Sequence, residues 1–368
     1  LRPRLPIRAV IVTFEPDIRS LEALLESLKR QTYPLETTIS DNGSRKSPVS
    51  RIAADWGVDF RPHKTNRGFG HAIHRVVMTS AERLVLVLNW DIRLEPTAVE
   101  EMVRVYLSEQ GIGAVCPKVL WAPDPRFIDS VGTGVDRFLQ AYNRGIGEPD
   151  LGQYDVDESP LGACFAAVLL DRAAYLATGG MDASYFLYYE DIDYSIRLRR
   201  SGYQIRTAPR AIAFHEHSAG VARLPDYFKH YYLKRNLVWT AVKHLPASRL
   251  PGFVGFILEV ALTEARLRKR FAINWLRILM DSGIHFPRLL ALRWSYPRDG
   301  SWIHLMDACP ETFFDAAGRR PENPVWSEGS ARGKRFALAG DRGDWLVYRR
   351  MKALRARGIV QPMEAPAP

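Results

Sequence analysis

The chain has 368 residues, 46% of them apolar and 25% charged, which suits a folded protein and excludes a disordered or collagen-like one. Its net charge of +10 is unevenly placed: residues 1–225 carry 27 basic against 28 acidic side chains, and residues 226–300 carry 13 against 5. The basic stretch is expected to face something anionic, such as a membrane surface, a phosphorylated substrate or nucleic acid.

Cys116, Cys164 and Cys309 lie far apart without Cys-x-x-Cys spacing, so neither a disulfide framework nor a structural zinc site is indicated, and a reducing, cytoplasmic setting is expected. No segment reaches the roughly 18 to 20 apolar residues that span a bilayer. The nearest, Phe253 to Leu262, contains Glu259. The first residues have no apolar stretch behind their arginines, so no signal peptide is expected.

Ala9 to Phe14 is a continuous apolar, β-branched run of the kind found in a strand buried on both faces. Pro16-Asp17 opens a helix in which Leu21, Leu24, Leu25 and Leu28 recur at helical spacing. Thr37 to Ser40 predicts a second strand, running into Asp41-Asn42-Gly43-Ser44, and Val58 to Phe60 a third. Asn66-Arg67-Gly68-Phe69-Gly70 leads into a helix with Ala72, Val76 and Val77 inward. Arg83 to Leu88 is the plainest buried strand, and it ends in Asn89-Trp90-Asp91. Alternating strands and helices imply an α/β domain with a largely parallel sheet.

In such sheets ligands bind beyond the carboxyl ends of the strands, where helix N-termini offer unpaired N–H groups. Thr13, Asp41, Asn66 and Asp91 fall at those ends. Neither G-x-G-x-x-G nor a P-loop is present, so a dinucleotide site or an NTPase site has no support. Asp91 could hold Mg²⁺ or Mn²⁺ against a diphosphate, because these ions take oxygen ligands and leave positions for phosphates. A helix N-cap is the competing role for it.

Further on, Glu190, Asp191 and Asp193 crowd the first turn of a helix and follow Leu187-Tyr188-Tyr189. Ile192, Ile196 and either Leu198 or Tyr203 would form its buried face. Acidic residues suit a helix N-terminus, but three beside aromatics exceed a cap, and one with a raised pKa could act as a general base. Ala211 to Phe214 predicts another strand, ending in His215-Glu216-His217. No further Cys or His lies nearby to close a zinc site, so one His completing a metal site with Asp91, or binding a phosphate, is the better assignment.

These motifs carry a resemblance. Val-Thr-Phe at 12–14, Asp-Asn-Gly-Ser, Asn-Arg-Gly-Phe-Gly, Asn-x-Asp, Gly-Ala-Cys-Phe at 162–165, Gly-Gly-Met-Asp at 179–182, Tyr-Glu-Asp-Ile-Asp-Tyr-Ser and a terminal His follow one another over roughly residues 7–220. The succession resembles family 2 glycosyltransferases, especially the rhamnosyltransferase-like branch that builds bacterial polysaccharides. The resemblance implies a GT-A fold, a nucleotide-diphosphate sugar donor, dTDP- or UDP-linked, and inversion at the anomeric carbon. It assigns Thr13, Phe14, Glu15 and Asp41 to the base and ribose, and Asn66, Gly68 and Asn89 to the nucleotide or diphosphate. Asp91 and His215 become the metal site, and Asp191, with Glu190 beside it, the base. Asn89 departs from the commoner first Asp of the family's Asp-x-Asp, and Glu15 from a neutral polar residue.

The expected organisation is a GT-A domain over 1–225, a basic helical region over 226–300 and a C-terminal extension over 301–368. Phe253, Phe256, Ile257, Val260, Leu267, Phe271, Trp275 and Ile278 recur at near-helical spacing beside Arg266, Arg268, Lys269 and Arg270. This stripe either meets an anionic membrane, near a glycan or lipid-linked acceptor, or packs on the catalytic domain. Two other classes compete with the enzyme. One is a nucleic-acid-binding protein using the basic stretch with Trp239 and Trp275, although no recognised module supports it. The other is an inactive GT-A scaffold.

Overall fold

Strand β1 (Ile7–Thr13) is apolar on both faces, and the side chains of a strand alternate between faces. Ala9 and Ile11 therefore enter one hydrophobic core while Val10 and Val12 enter another. The computed structural model describes residues 4–156, 158–216, 224–267, 269–297 and 300–307. His217, Arg268 and nearly all of the C-terminal extension lie outside them.

After β1 come α1 (Ile18–Lys29), β2 (Glu36–Asp41), α2 (Val49–Asp55), β3 (Asp59–Pro62), α3 (Phe69–Thr79) and β4 (Leu84–Asn89). Asp17 caps α1 by accepting the Ser20 N–H. There follow β5 (Ile92–Leu94), α4 (Ala98–Tyr106), β6 (Ile112–Trp121), β7 (Ile128–Ser130), β8 (Thr133–Val135) and β9 (Ala141–Asn143). The domain closes with β10 (Ala167–Asp171), α5 (Arg172–Ala177), α6 (Glu190–Arg200) and β11 (Gln204–His215). Tyr203 lies beyond the end of α6, so Ile192, Ile196 and Leu198 supply the helix's apolar contacts.

The sheet runs β3-β2-β1-β4-β10-β6-β11-β5, with β7 beside β6. Its first four strands are parallel, as expected for βα units. Beyond β4, β10 is antiparallel to both its neighbours, while β11 returns parallel to β6. Helices α1, α2 and α4 cover one face and α3, α5 and α6 the other, giving three layers.

The 226–300 region forms α7 (Asp226–His244), α8 (Leu250–Leu267) and α9 (Lys269–Ser295). Phe253, Phe256, Ile257, Val260, Trp275 and Ile278 are buried in a third core that also takes Tyr185, Tyr189, Ile192 and Ile196 of the catalytic domain. The stripe read from the sequence thus packs inward and is not a membrane face. Trp239 and Trp275 are buried as well, which removes the aromatic platform of the nucleic-acid reading.

Candidate active site

Parallel strands ending side by side bring the first residues together. Thr13 Oγ1 donates to Asp41 Oδ1 at 2.7 Å, and the other Asp41 oxygen accepts the Gly43 and Ser44 N–H groups. Asp41 is buried, and these bonds fix its carboxylate at the end of β2. Phe14 stands exposed at the end of β1. The Glu15 carboxylate accepts the N–H groups of Arg45, Lys46 and Ser47 and holds the loop after β2. Asn66 Oδ1 accepts the Gly68 N–H at 2.9 Å and shapes the turn into α3.

Gly68 has φ +93°, and a Cβ there would lie 2.5 Å from the Phe186 carbonyl oxygen. Only glycine lets these two segments close, because other residues rarely adopt this φ and would collide with backbone. At the next turn, a Cβ on Gly70 would lie 3.7 Å from Glu190 Cβ. The α3 start therefore abuts the α6 start.

Tyr188 and Tyr189 have φ of 65° and 68°, left-handed values that are unfavourable for aromatic residues. Asn236 of α7, wholly buried, holds this turn by donating to the carbonyls of Leu187 and Tyr188 at 2.8 and 2.7 Å. The turn delivers Glu190 and Asp191 to the helix start. Burial raises Glu190 to about 8, with the neighbouring Asp191 charge adding to it, and burial raises Asp191 to about 6. Glu190 Oε2 is buried without a hydrogen-bond partner, which suits a protonated carboxyl. Two adjacent carboxyls with acid strengths pushed apart can divide acid and base roles at neutral pH.

The third carboxylate of this helix has a different place. Asp193 is fully buried and paired with Lys243 at 2.5 Å, Arg197 at 2.9 Å and His244 at 2.9 Å. Burial works against its charge, but the Lys243 and Arg197 cations, with the His244 hydrogen bond, hold it well below the usual carboxylate range. It clamps α6 to α7.

Across the site, His215 Nε2 lies 3.4 Å from Asp91 Oδ1, and Nδ1 lies 2.8 Å from Asp129 Oδ2. Asp129 is fully buried. After desolvation itself, Asp129 and Asp191 both oppose ionisation of the half-buried Cys164 thiol, so the two carboxylate sets share one neighbourhood. Sequence reading passed over Asp129, an isolated acid in Phe-Ile-Asp-Ser-Val, and Asn236, which sits mid-helix. An acid within an apolar run was the one available signal for the former.

Among the described residues no group of three or more His, Cys, Asp or Glu is arranged to enclose a metal ion. The donors fit a divalent cation in a more open way. With its Nδ1 side turned to Asp129, His215 directs Nε2 toward Asp91, the carboxylate–histidine–metal arrangement, and the other positions would fall to phosphate and water.

Residues 9–155 match the model of glycosyl transferase family 2. The chain is 26% identical over 271 residues to the N-acetylglucosaminyl-diphospho-decaprenol L-rhamnosyltransferase of Mycobacterium tuberculosis, in strains CDC 1551 / Oshkosh and ATCC 25618 / H37Rv. That similarity covers 66% of this chain and 86% of the relative. In fold it is similar to GalNAc-T7, whose crystal structure holds UDP, GalNAc and Mn²⁺, at a TM-score of 0.57 and 11% identity over 80% of this chain and 59% of that one. It is also similar to S. aureus TarS, at a TM-score of 0.50 and 12% identity over 78% and 50% of the two chains. The fold is that of GT-A glycosyltransferases, and the sequence is similar to glycosyl transferase family 2 over residues 9–155 and to a rhamnosyltransferase over 271 residues.

Proposed function

We propose that the chain is an inverting glycosyltransferase that takes a sugar, with rhamnose the leading candidate, from a dTDP- or UDP-linked donor to a hydroxyl of a lipid-linked glycan. The observation that carries the reading is the Glu190–Asp191 pair at the α6 start, in one neighbourhood with the Asp91–His215–Asp129 cluster. The rhamnosyl and lipid-diphosphate elements come from the relative's specificity.

In this mechanism Asp41 and Thr13 bind the nucleoside, and Phe14 offers a ring face to the base. Asp191, ionised above about pH 6, takes the proton of the acceptor hydroxyl as its oxygen attacks the anomeric carbon. The new C–O bond forms on the face opposite the breaking bond to the diphosphate, which inverts the centre. Glu190 stays protonated at neutral pH and leaves Asp191 as the only base of the pair. Asp91 and His215 would hold Mg²⁺ or Mn²⁺, which offsets charge on the leaving nucleotide diphosphate. Asp129 orients the His215 ring. A polyprenyl-borne acceptor would place the reaction at the cytoplasmic face of a membrane.

A thermal-shift and hydrolysis screen of dTDP-, UDP- and GDP-sugars with Mn²⁺ or Mg²⁺ tests the reading, since a specific ligand stabilises the native state by mass action. Stabilisation and turnover by a dTDP- or UDP-sugar are expected. No response to any donor would move the chain to the inactive-scaffold class.

A further inference from the structure

We propose that the outward faces of α8 and α9 dock the enzyme on an anionic lipid bilayer. The inward faces of both helices are used up in the third core. Outside, Val254, Leu258 and Leu262 on α8, and Leu276, Met280 and Ile284 on α9, are 54 to 73% exposed. Of seventeen large apolar side chains exposed among the described residues, ten fall between 254 and 294, so the exposure is concentrated rather than scattered. At 100° per residue, the three named on α9 lie within an arc of about 80°, as one continuous stripe.

Charge selects the partner. Arg266, Lys269, Arg270 and Arg277 are exposed beside this stripe, with no ion pair among the described residues. The acids of the same helices are mostly taken inside: Glu264 by His230 and Lys234, and Asp281 by Arg235 and Tyr231. Glu259 alone is exposed. An apolar stripe bordered by cations that form no ion pair among the described residues fits the headgroup boundary of an anionic membrane, where the stems of Lys and Arg lie along the apolar layer and their charges meet lipid phosphate. No helix among the described residues is long and apolar enough to cross a membrane, so this contact lies in the plane of the surface.

The surface is joined to the site. Glu264 bonds His230 of α7 and Trp275 of α9, and α7 carries the Asn236 that braces the turn before Asp191. Docking would hold the base beside an acceptor borne by the same bilayer, and in that respect it rests on the reaction proposed above.

Flotation of the full chain with phosphatidylcholine vesicles, with and without phosphatidylglycerol, at low and high salt tests it. Binding is expected only with phosphatidylglycerol, and salt should release it. Each cation near the surface contributes about fivefold, so Arg270→Glu with Arg277→Glu should weaken binding about 25-fold or more. Leu276→Asp with Met280→Asp should weaken it at least about tenfold through lost apolar burial. Both variants should melt like wild type and keep its donor hydrolysis. Hydrolysing protein that ignores vesicles, or binds them whatever their charge, would overturn the docking surface. So would a dimer in sedimentation that the Leu276 and Met280 substitutions dissolve. Vesicle binding without donor turnover would instead overturn the glycosyltransferase reading alone.

Discussion

Asn236→Ala is expected to disable transfer from a position that touches no substrate. The amide donates two bonds, to the carbonyls of Leu187 and Tyr188, and its oxygen accepts one from Arg235 Nε, within a fully buried setting. Leaving a buried acceptor unpaired costs about 1 to 3 kcal/mol, so an unrelaxed variant would lose about 2 to 6 kcal/mol. The turn has an alternative, because Tyr188 and Tyr189 are both left-handed and each stores about 1 to 3 kcal/mol that relaxation would release. Relaxation therefore offsets much of the stability loss and shifts Asp191. A misplacement of about 1 Å costs on the order of 10² in rate. Denaturant melts and steady-state kinetics should show a modest loss of stability, a kcat lower by about 100-fold and a donor KM within a few-fold of wild type. Leu245→Ala is the control, since it opens a cavity in the same core without touching the turn. If Asn236→Ala is destabilised as much as Leu245→Ala yet keeps its kcat, the bracing argument is wrong.

Glu190→Gln should be more stable than wild type at alkaline pH. The folded value of Glu190 lies above its ordinary 4.5, so its stabilising contribution is complete below about pH 4.5 and lost as pH rises through about 8. Melting temperatures of the pair should separate between pH 6 and pH 9, and parallel curves would refute the burial argument. Asp129→Asn should weaken Mn²⁺-dependent donor binding about 10- to 100-fold by freeing the His215 ring, with calorimetry in EDTA showing no difference. Gly68→Ala should lower both stability and kcat, since its Cβ would displace the Phe186 backbone; a variant with wild-type melting and turnover would contradict the close approach.

The parallel half of the fold was legible because β1 and β4 are apolar on both faces, a pattern only a covered strand tolerates. Thr13, Asp41, Asn66 and Asp91 followed from the strand ends alone. The far half was legible only at the start of α6 and the end of β11. Arg197, Arg199 and Arg200 look like a solvated helix end, yet all are buried, because their partners are Asp193 and backbone carbonyls brought in by folding. Asp129 owes its place to His215, 86 positions away, and no local spacing announces such a pairing. Helical periodicity located the stripe of α8 and α9 correctly but could not say which side α7 and α6 would cover. The two faces of these helices are both apolar, and tertiary packing chose between them.

The measurement that bears most directly on the account pairs donor binding with transfer in wild type and Asp191→Asn. Calorimetry gives the affinity for the donor nucleotide sugar with Mn²⁺, and product formation on a lipid-diphosphate acceptor gives kcat. The amide keeps the shape of the side chain but cannot accept the proton, and a general base contributes on the order of 10² to 10⁴ in rate. The expected result is a donor affinity within a few-fold of wild type and a kcat at least about 100-fold lower. A variant that transfers as fast as wild type would remove Asp191 from the chemistry and contradict the mechanism at its centre.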